Sequence, residues 1–285
     1  VVGGQLVGRV AVVTGASRGI GEAITRRFAS EGATVVAIAR TVTPSDRLPG
    51  SLSQTVDEVV AAGGKAIAVQ ADLGDPEDRT RLIDKVHERV GPVDVLVNNA
   101  AVTWLAPADS FNMKRYDLMF DVQVRAPFEL IRSVIPDMRE RGQGWILNVS
   151  SLAAVHPSGP PFGPDDRLGT TVYGMCKAAL ERMSTGLAAE LSDDGIAVNS
   201  LAPTRIVATW GTVHHGLVPD DAPDEIEYPQ EFAEAAVALC AGDPRTLTGR
   251  ILHTDQAYKQ LQLTAHDLDG TSLFQRPQPA PTGQG

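Results

Sequence analysis

The sequence predicts an α/β fold: a doubly wound, single-domain parallel sheet of about seven strands with helices on both faces. Three observations predict it. Short, continuously apolar runs recur along the chain, as parallel strands buried on both faces require. Amphipathic stretches of helical length alternate with these runs. The first run leads into a glycine-rich turn, Val10 to Gly21, VAVVTGASRGIG, which opens an amphipathic helix from Glu22 to Glu31. At 285 residues the chain is within the range of one large α/β domain, placed here at residues 1–266. Residues 267–285, rich in Pro, Gln and Gly, read as a tail with too few apolar residues to fold alone.

Hydrophobic residues make up 43% of the chain, yet no run approaches the ~20 apolar residues that a membrane span needs, so no membrane partner is expected. A net charge of −10 argues against a nucleic-acid surface. Cys176 and Cys240 lie far apart without metal-ligand spacing, which fits a reducing compartment, no disulfide and a cytoplasmic setting. The opening residues, VVGGQLVGR, lack the basic region and apolar core of a secretory signal. Because the chain does not begin with Met, a targeting sequence upstream stays open.

The glycines of the first turn have separable jobs. One makes the turn tight, one lets the backbone approach a pyrophosphate, and one lets helix and strand pack closely. The helix N-terminus adds unpaired N–H groups and partial positive charge. The spacing is Gly-x-x-x-Gly-x-Gly (Gly15, Gly19, Gly21) after Thr14. The second strand, Ala33 to Ala39, finishes at Arg40. An acidic residue there holds the ribose 2′-hydroxyl of NAD, whereas a basic one accommodates the 2′-phosphate of NADP. Arg40 is basic, and Arg18 inside the turn adds a second planar fork suited to phosphate. Either arginine alone has the alternative of being an ordinary solvated charge. Together they make NADP(H) the preferred cofactor, with NAD(H) the alternative.

A proline-rich connection over 43–50 precedes a helix capped by Ser51 and running to Ala62, then a third strand from Lys65 to Gln70. Asp72-Leu73 follows, and a helix spans Pro76 to Val90. The fourth strand, Val93 to Val97, runs into Asn98-Asn99-Ala100-Ala101. Amides at that end can both tie adjacent strands and face a ligand, which open α/β sheets bind at this edge. Residues 112–140 read as one long helix with Pro127 and Pro136 interrupting its ladder. The fifth strand, Trp145 to Val149, ends at Ser150-Ser151. Residues 156–169, rich in Pro, Gly and Asp, are either a substrate-shaping loop or a tolerated excursion.

Tyr173 and Lys177 stand at i and i+4 in the helix that follows, so both point at the same spot. A phenol is too weak an acid at neutral pH to donate readily, and an ammonium group beside it stabilises the phenolate. The remaining strands are Ile196 to Leu201 and Arg250 to His253, with a helix over Pro229 to Ala241 between them. The segment 205–228 holds Trp210 and His214-His215. Adjacent histidines lack helical ligand spacing and no third ligand supports them, so no metal is expected.

The glycine turn TGASRGIG, the Asn-Asn-Ala triplet, Ser-Ser after an apolar strand and Tyr-x-x-x-Lys occur in one chain in this order. With them the sequence resembles the classical short-chain dehydrogenase/reductase family over roughly residues 6–255. The resemblance implies a Rossmann-type fold with the cofactor on Gly15, Ser17, Arg18, Gly19, Ile20, Gly21, Arg40, Asp72, Leu73, Asn99, Ala100, Tyr173, Lys177 and Pro203. Asp72 would lie over the adenine, or else simply begin the next helix. The family's Asn-Asn-Ala-Gly has Ala101 in place of its last glycine. Where the family has an Asn whose backbone carbonyl serves a proton relay at a helix kink, this chain has Gln123. Ser151 would polarise the substrate carbonyl, with Ser150 the adjacent alternative. Tyr173 would donate the proton, and Lys177 would support it and bond the nicotinamide ribose. After the sixth strand the family's Pro-Gly is Pro203-Thr204, Thr209 comes one residue later than usual, and 205–228 would form a substrate lid. Subunits would pair through the long helices after the fourth and fifth strands, giving a homodimer or homotetramer. The implied activity is NADP(H)-dependent reduction of a small-molecule carbonyl or oxidation of a secondary alcohol. A non-catalytic dinucleotide sensor and an isomerase or dehydratase on the same fold remain the other classes.

Overall fold

Val12 and Val13 lie side by side in the first strand and point to opposite faces of the sheet, and both are fully buried. That is why the run shows no polar alternation. The computed structural model describes residues 4–44, 49–163, 168–209, 212, 218 and 226–277. The chain alternates β1 (Val10–Thr14), α1 (Gly19–Ser30), β2 (Thr34–Ala39), α2 (Leu52–Ala61), β3 (Lys65–Gln70), α3 (Pro76–Val90) and β4 (Val95–Asn98). Then come α4 (Met113–Phe120), α5 (Ala126–Arg141), β5 (Gly144–Val149), α6 (Thr171–Glu190) and β6 (Ile196–Ala202). Two short strands, β7 (Ile206–Val207) and β8 (Ile226–Glu227), precede α7 (Pro229–Ala241), β9 (Ile251–His253) and α8 (Thr254–Leu261).

Among the described residues the main sheet is seven-stranded, in the order β3-β2-β1-β4-β5-β6-β9, with every pair parallel. Strand order reverses between β1 and β4, so the two halves diverge there and leave a crevice at their C-terminal ends. One core layer holds Val13, Val35, Val97 and Leu147 against Phe28 of α1, Leu52 of α2 and Phe232 of α7. The opposite layer holds Val12, Val36, Leu96 and Ile146 against Leu82 of α3, Leu130 and Ile131 of α5 and Leu187 of α6. Local chemistry starts the helices. Ser51 accepts the Gln54 N–H, Asp75 accepts that of Glu77, and Asn112 accepts those of Lys114 and Arg115.

The long helix expected over 112–140 is divided. A π-helical turn over Asp121–Arg125 lies between α4 and α5, with Gln123 at its centre, and Pro127 falls in the first turn of α5. A proline there lacks the N–H that a regular i→i−4 ladder would use, so the wide turn upstream absorbs the mismatch. Pro136 is carried inside α5.

Three elements beside the crevice are joined by buried polar groups. Asn98 Nδ2 at the end of β4 donates to Asn148 Oδ1 in β5 at 2.9 Å. Asn148 Nδ2 donates in turn to Ser184 Oγ of α6 at 2.9 Å, and that hydroxyl donates to Leu180 O. Residues 267–277, expected as part of a tail unable to fold alone, use the domain as their partner. Leu268 packs on the first core layer, the Phe274 ring lies 5.4 Å from that of Tyr228, and Arg276 pairs with Glu231 at 2.8 Å. Asp269 pairs with Arg26 of α1 at 3.0 Å. Residues 278–285 lie outside the described residues.

Asn148→Ala removes the centre of the polar ladder and leaves Asn98 and Ser184 short of partners in a dry site. Urea unfolding is expected to show a loss of about 2–4 kcal/mol.

Candidate active site

The glycine turn is built as a lock. Thr14 Oγ1 accepts the backbone N–H groups of Asn99 (3.0 Å) and Ala100 (3.1 Å) and donates to Val97 O (3.2 Å). Asn99 Nδ2 donates to Thr14 O at 2.9 Å. Gly15 has φ +68, and a Cβ on Gly21 would sit 2.3 Å from Gly15 O and 2.5 Å from Asn99 Nδ2. Only a bare Cα lets α1 begin so close to β1 and β4. The N-terminus of α1 is thereby aimed at the crevice. Ser17 is buried, and Ile20 is partly buried against the core.

Arg18 is extended just before α1, with Nη2 donating to Gly50 O at 3.1 Å. Its Nε is buried with no hydrogen-bond partner among the described residues. Burial, and after it the neighbouring positive charge of Arg40, lower the Arg18 pKa. The two guanidinium groups are thus within electrostatic reach of each other, Arg18 before α1 and Arg40 after β2. Arg40 is exposed, and its only ion pair among the described residues is a loose one, 4.0 Å to Asp72 Oδ2. Arg40 and Asp72 line an open hollow of about 350 Å³ together with Asp78 and Lys85. Asp72 Oδ1 also accepts the Gly74 N–H, so the carboxylate closes a turn as well as facing the hollow. The Leu73 side chain belongs to the core.

The two adjacent serines after β5 have different surroundings. Ser150 is buried and its Oγ donates to Glu181 Oε1 of α6 at 2.6 Å. Ser151 is partly exposed, and its Oγ accepts the Ala153 N–H at 3.3 Å. Lys177 is 3% exposed, with Nζ donating to Val149 O at 2.9 Å and lying 5.6 Å from the Tyr173 ring centroid. Tyr173, with Val102 and Trp104, packs against a small cluster of Met119, Val172 and Cys176. α6 comes this close to the turn after Ser151 because position 174 is glycine, where a Cβ would lie 2.6 Å from Ala153 O. Gln123 is 1% exposed, donates from Nε2 to Val102 O at 2.9 Å, and leaves Oε1 buried without a partner among the described residues.

On the far side of the crevice Pro203 follows β6, and β7 pairs with β8. Thr209 lies against the glycine turn, where a Cβ on Gly19 would come within 3.2 Å of its methyl. Glu227 in β8 is 2% exposed. Its carboxylate accepts the Thr204 N–H at 2.8 Å and the Thr254 hydroxyl at 2.7 Å. Burial pushes its pKa up to about 7, against the opposing pull of those hydrogen bonds. Trp210, His214 and His215 lie outside the described residues, as do Pro164–Arg167 of the 156–169 segment. Gly169 O, at the end of that segment, accepts the Ala106 N–H at 3.2 Å. Among the described residues no group of three or more His, Cys, Asp or Glu could hold a metal ion.

Sequence reading did not single out Glu181, Asn148, Ser184 or Glu227. Glu181 had a signal, since it stands one turn beyond Lys177 on the same helix face. Glu227 had none, because its partners come from segments distant in sequence.

A family model described as short chain dehydrogenase matches residues 9–213. A short chain dehydrogenase of Pseudocercospora fijiensis is 38% identical over 221 residues, which cover 77% of this chain and 64% of that protein. The chain thus spans less than two thirds of that relative's length. The 7alpha-hydroxysteroid dehydrogenase of Escherichia coli is 30% identical over 256 residues, covering 87% of this chain and 93% of that one. The crystal structure of a metagenomic short-chain oxidoreductase in complex with NADP has a TM-score of 0.69 at 31% identity, covering 87% of this chain and 98% of that one.

Because the Glu227 pKa is raised on folding from 4.5 to about 7, its contribution to stability is fully present below pH 4.5 and is lost as pH rises towards 7. Glu227→Gln, which keeps an acceptor and a donor without the titration, lacks this loss. Chemical denaturation at pH 5 and pH 8 is expected to show the variant gaining on the wild type by roughly 2.5 kcal/mol across that interval.

Proposed function

The chain belongs to the short-chain dehydrogenase family, and from that premise we propose that it is an NADP(H)-dependent oxidoreductase interconverting a carbonyl and a secondary alcohol. The observation that carries the reading is the pairing of a buried, anchored Lys177 with Tyr173 on one helix, beside a Ser151 whose neighbour is committed elsewhere. The residues around the glycine turn fit the dinucleotide. Arg18 Nε lacks a partner, the two guanidinium groups repel each other, and the turn leaves no room for a Cβ at Gly21. An anion between the arginines relieves the repulsion and takes the unused donor, which is the chemistry of a 2′-phosphate. The glycine turn and the first N–H groups of α1 would hold the pyrophosphate, and Asn99, Ala100 and Pro203 would hold the nicotinamide end.

When bound, the cofactor supplies or takes the hydride. The protein's own residues do the rest. Tyr173 holds the proton that passes to the substrate oxygen, and Lys177 keeps positive charge beside it. Ser151 orients the carbonyl by hydrogen bonding. Ser150 is held by Glu181 and so is not the competing donor. Gln123 sits in the π-helical turn, and its backbone carbonyl would serve the proton relay.

The substrate is bulky, apolar and uncharged near its reacting group. Leu105, Leu152, Val155, Phe162, Leu168 and Met175, on the segments that flank Ser151 and Tyr173, are exposed. Residues 101–108, 150–163 and 168–176 contain no Asp, Glu, Lys or Arg. Exposed side chains of this kind repay burial of hydrocarbon more than burial of a fixed charge. Assembly as a homodimer or homotetramer through α5 and α6 completes the reading, with Phe128 of α5 exposed for the contact.

Tyr173→Phe is expected to bind NADPH within about twofold of wild type, by fluorescence titration, while turnover falls about 10³-fold. Full activity in that variant rejects the assignment. Replacing Arg18 and Arg40 together by Ala should weaken NADPH binding about 10-fold to 100-fold more than NADH binding. Equal weakening of both cofactors rejects the 2′-phosphate clamp.

A further inference from the structure

Glu227 is distant from Tyr173 in sequence, and its buried carboxylate joins three separate segments. Oε2 accepts the N–H of Thr204, directly after Pro203, and the Arg205 N–H is directed at the same carboxylate. Oε1 accepts from Thr254, the first residue of α8, whose hydroxyl also lies 3.3 Å from Ala202 O at the end of β6. The backbone of Glu227 continues the work, its carbonyl accepting the Ala208 N–H at 2.8 Å and its strand pairing Val207 in parallel. Thr204 Oγ1 donates to Asp255 Oδ1 and accepts the Asp255 N–H, so the same corner is fixed to α8 a second time.

The start of the segment from Pro203 to Thr209 is thereby tied to β6 and α8 through Glu227, with Thr204–Asp255 a second tie there and Thr212 Oγ1 holding Val207 O and the Thr209 N–H further along. Its far end is the Thr209 methyl against Gly19. Thr209 borders a hollow of about 500 Å³ that is also lined by Ser17, Arg18, Gly19 and Tyr228. We propose that Glu227 is a positioning residue for the cofactor: by holding Thr204 and β7 against β6 and α8, it sets the distance between Pro203–Thr209 and the glycine turn, and so the width of the crevice that the dinucleotide enters. The proposal rests on the nucleotide reading above and adds to it a residue that touches neither cofactor nor substrate.

The carboxylate is the group suited to this corner. Glu231 of α7 adds negative charge close by, and burial disfavours the ionised form of Glu227. In either protonation state the corner is satisfied. Ionised, Glu227 accepts from Thr254. Protonated, it donates to Thr254 Oγ1, which donates onward to Ala202 O. An amide reproduces the second arrangement, Oε1 accepting from Thr204 and Nε2 donating to Thr254. A methyl group reproduces neither.

The test is an NADPH fluorescence titration of wild type, Glu227→Ala, Glu227→Gln and Thr254→Val, each checked for folding by circular dichroism. Glu227→Ala is expected to raise the NADPH Kd about tenfold, with the NADPH KM following and kcat changing less than about threefold. Glu227→Gln is expected to stay within about threefold of wild type, and Thr254→Val to fall between the two. A folded Glu227→Ala with wild-type affinity, or a Glu227→Gln as weak as the alanine variant, overturns the proposal. If Glu227→Ala does not fold, Thr254→Val decides, and wild-type affinity there overturns it. A wild-type protein that binds neither NADPH nor NADH rejects the nucleotide reading itself, whereas normal wild-type binding with unaffected variants rejects only the role of Glu227.

Discussion

The hydroxyl of Thr14 is the constraint on which the crevice depends. It meets two N–H groups from the loop after β4 and one carbonyl of β4 itself, so the C-terminal ends of β1 and β4 are held at the point where strand order reverses. A doubly wound sheet diverges there by construction. Without a tie, the two loops would be free to splay, and the first turn of α1 would lose its aim. The Asn99 amide fastens the same corner from the other side through Thr14 O. Gly15 and Gly21 are then forced, because the space a Cβ would take at either is already filled by this tie. A polar contact of ordinary strength thus decides two sequence positions and the direction of a helix dipole.

The second half of the site is organised by the polar ladder from Asn98 through Asn148 to Ser184. Its members are fully or nearly buried, and each bond joins a different element. Hydrophobic packing alone would let α6 slide along the sheet, since valine and leucine contacts are non-directional. The ladder fixes the register of α6 relative to β5. That register sets how Tyr173 and Lys177 stand to the turn after Ser151. Glu181 adds a further tie by taking the Ser150 hydroxyl.

Most of the sheet was legible because parallel strands and amphipathic helices write periodicity into the chain. Lys65–Gln70, Pro76–Val90 and Pro229–Ala241 have the boundaries their apolar patterns and caps imply. The proposed site could be outlined where its residues share one short stretch, as in the glycine turn and in Tyr173 with Lys177. It was not legible where function comes from distant partners. The π-helical turn around Gln123 is a departure of a single residue from helical periodicity, and α8 follows β9 without an intervening loop signal. Glu227 was invisible because nothing about an acidic residue in a Pro-rich acidic stretch distinguishes a buried clasp from a solvated charge.

The segment after α8 has a bearing on how the molecule comes into being. Asp269 meets Arg26 across 243 residues of sequence, and Leu268 and Phe274 settle on α7 and the first core layer. Chain growth is directional, so α1 emerges long before these contacts exist. Until then the surface of α1 and α7 that they cover is open, and such long-range closures come late and slowly. A nascent chain spends that interval with Arg26 unmatched by Asp269 and the places of Leu268 and Phe274 unfilled.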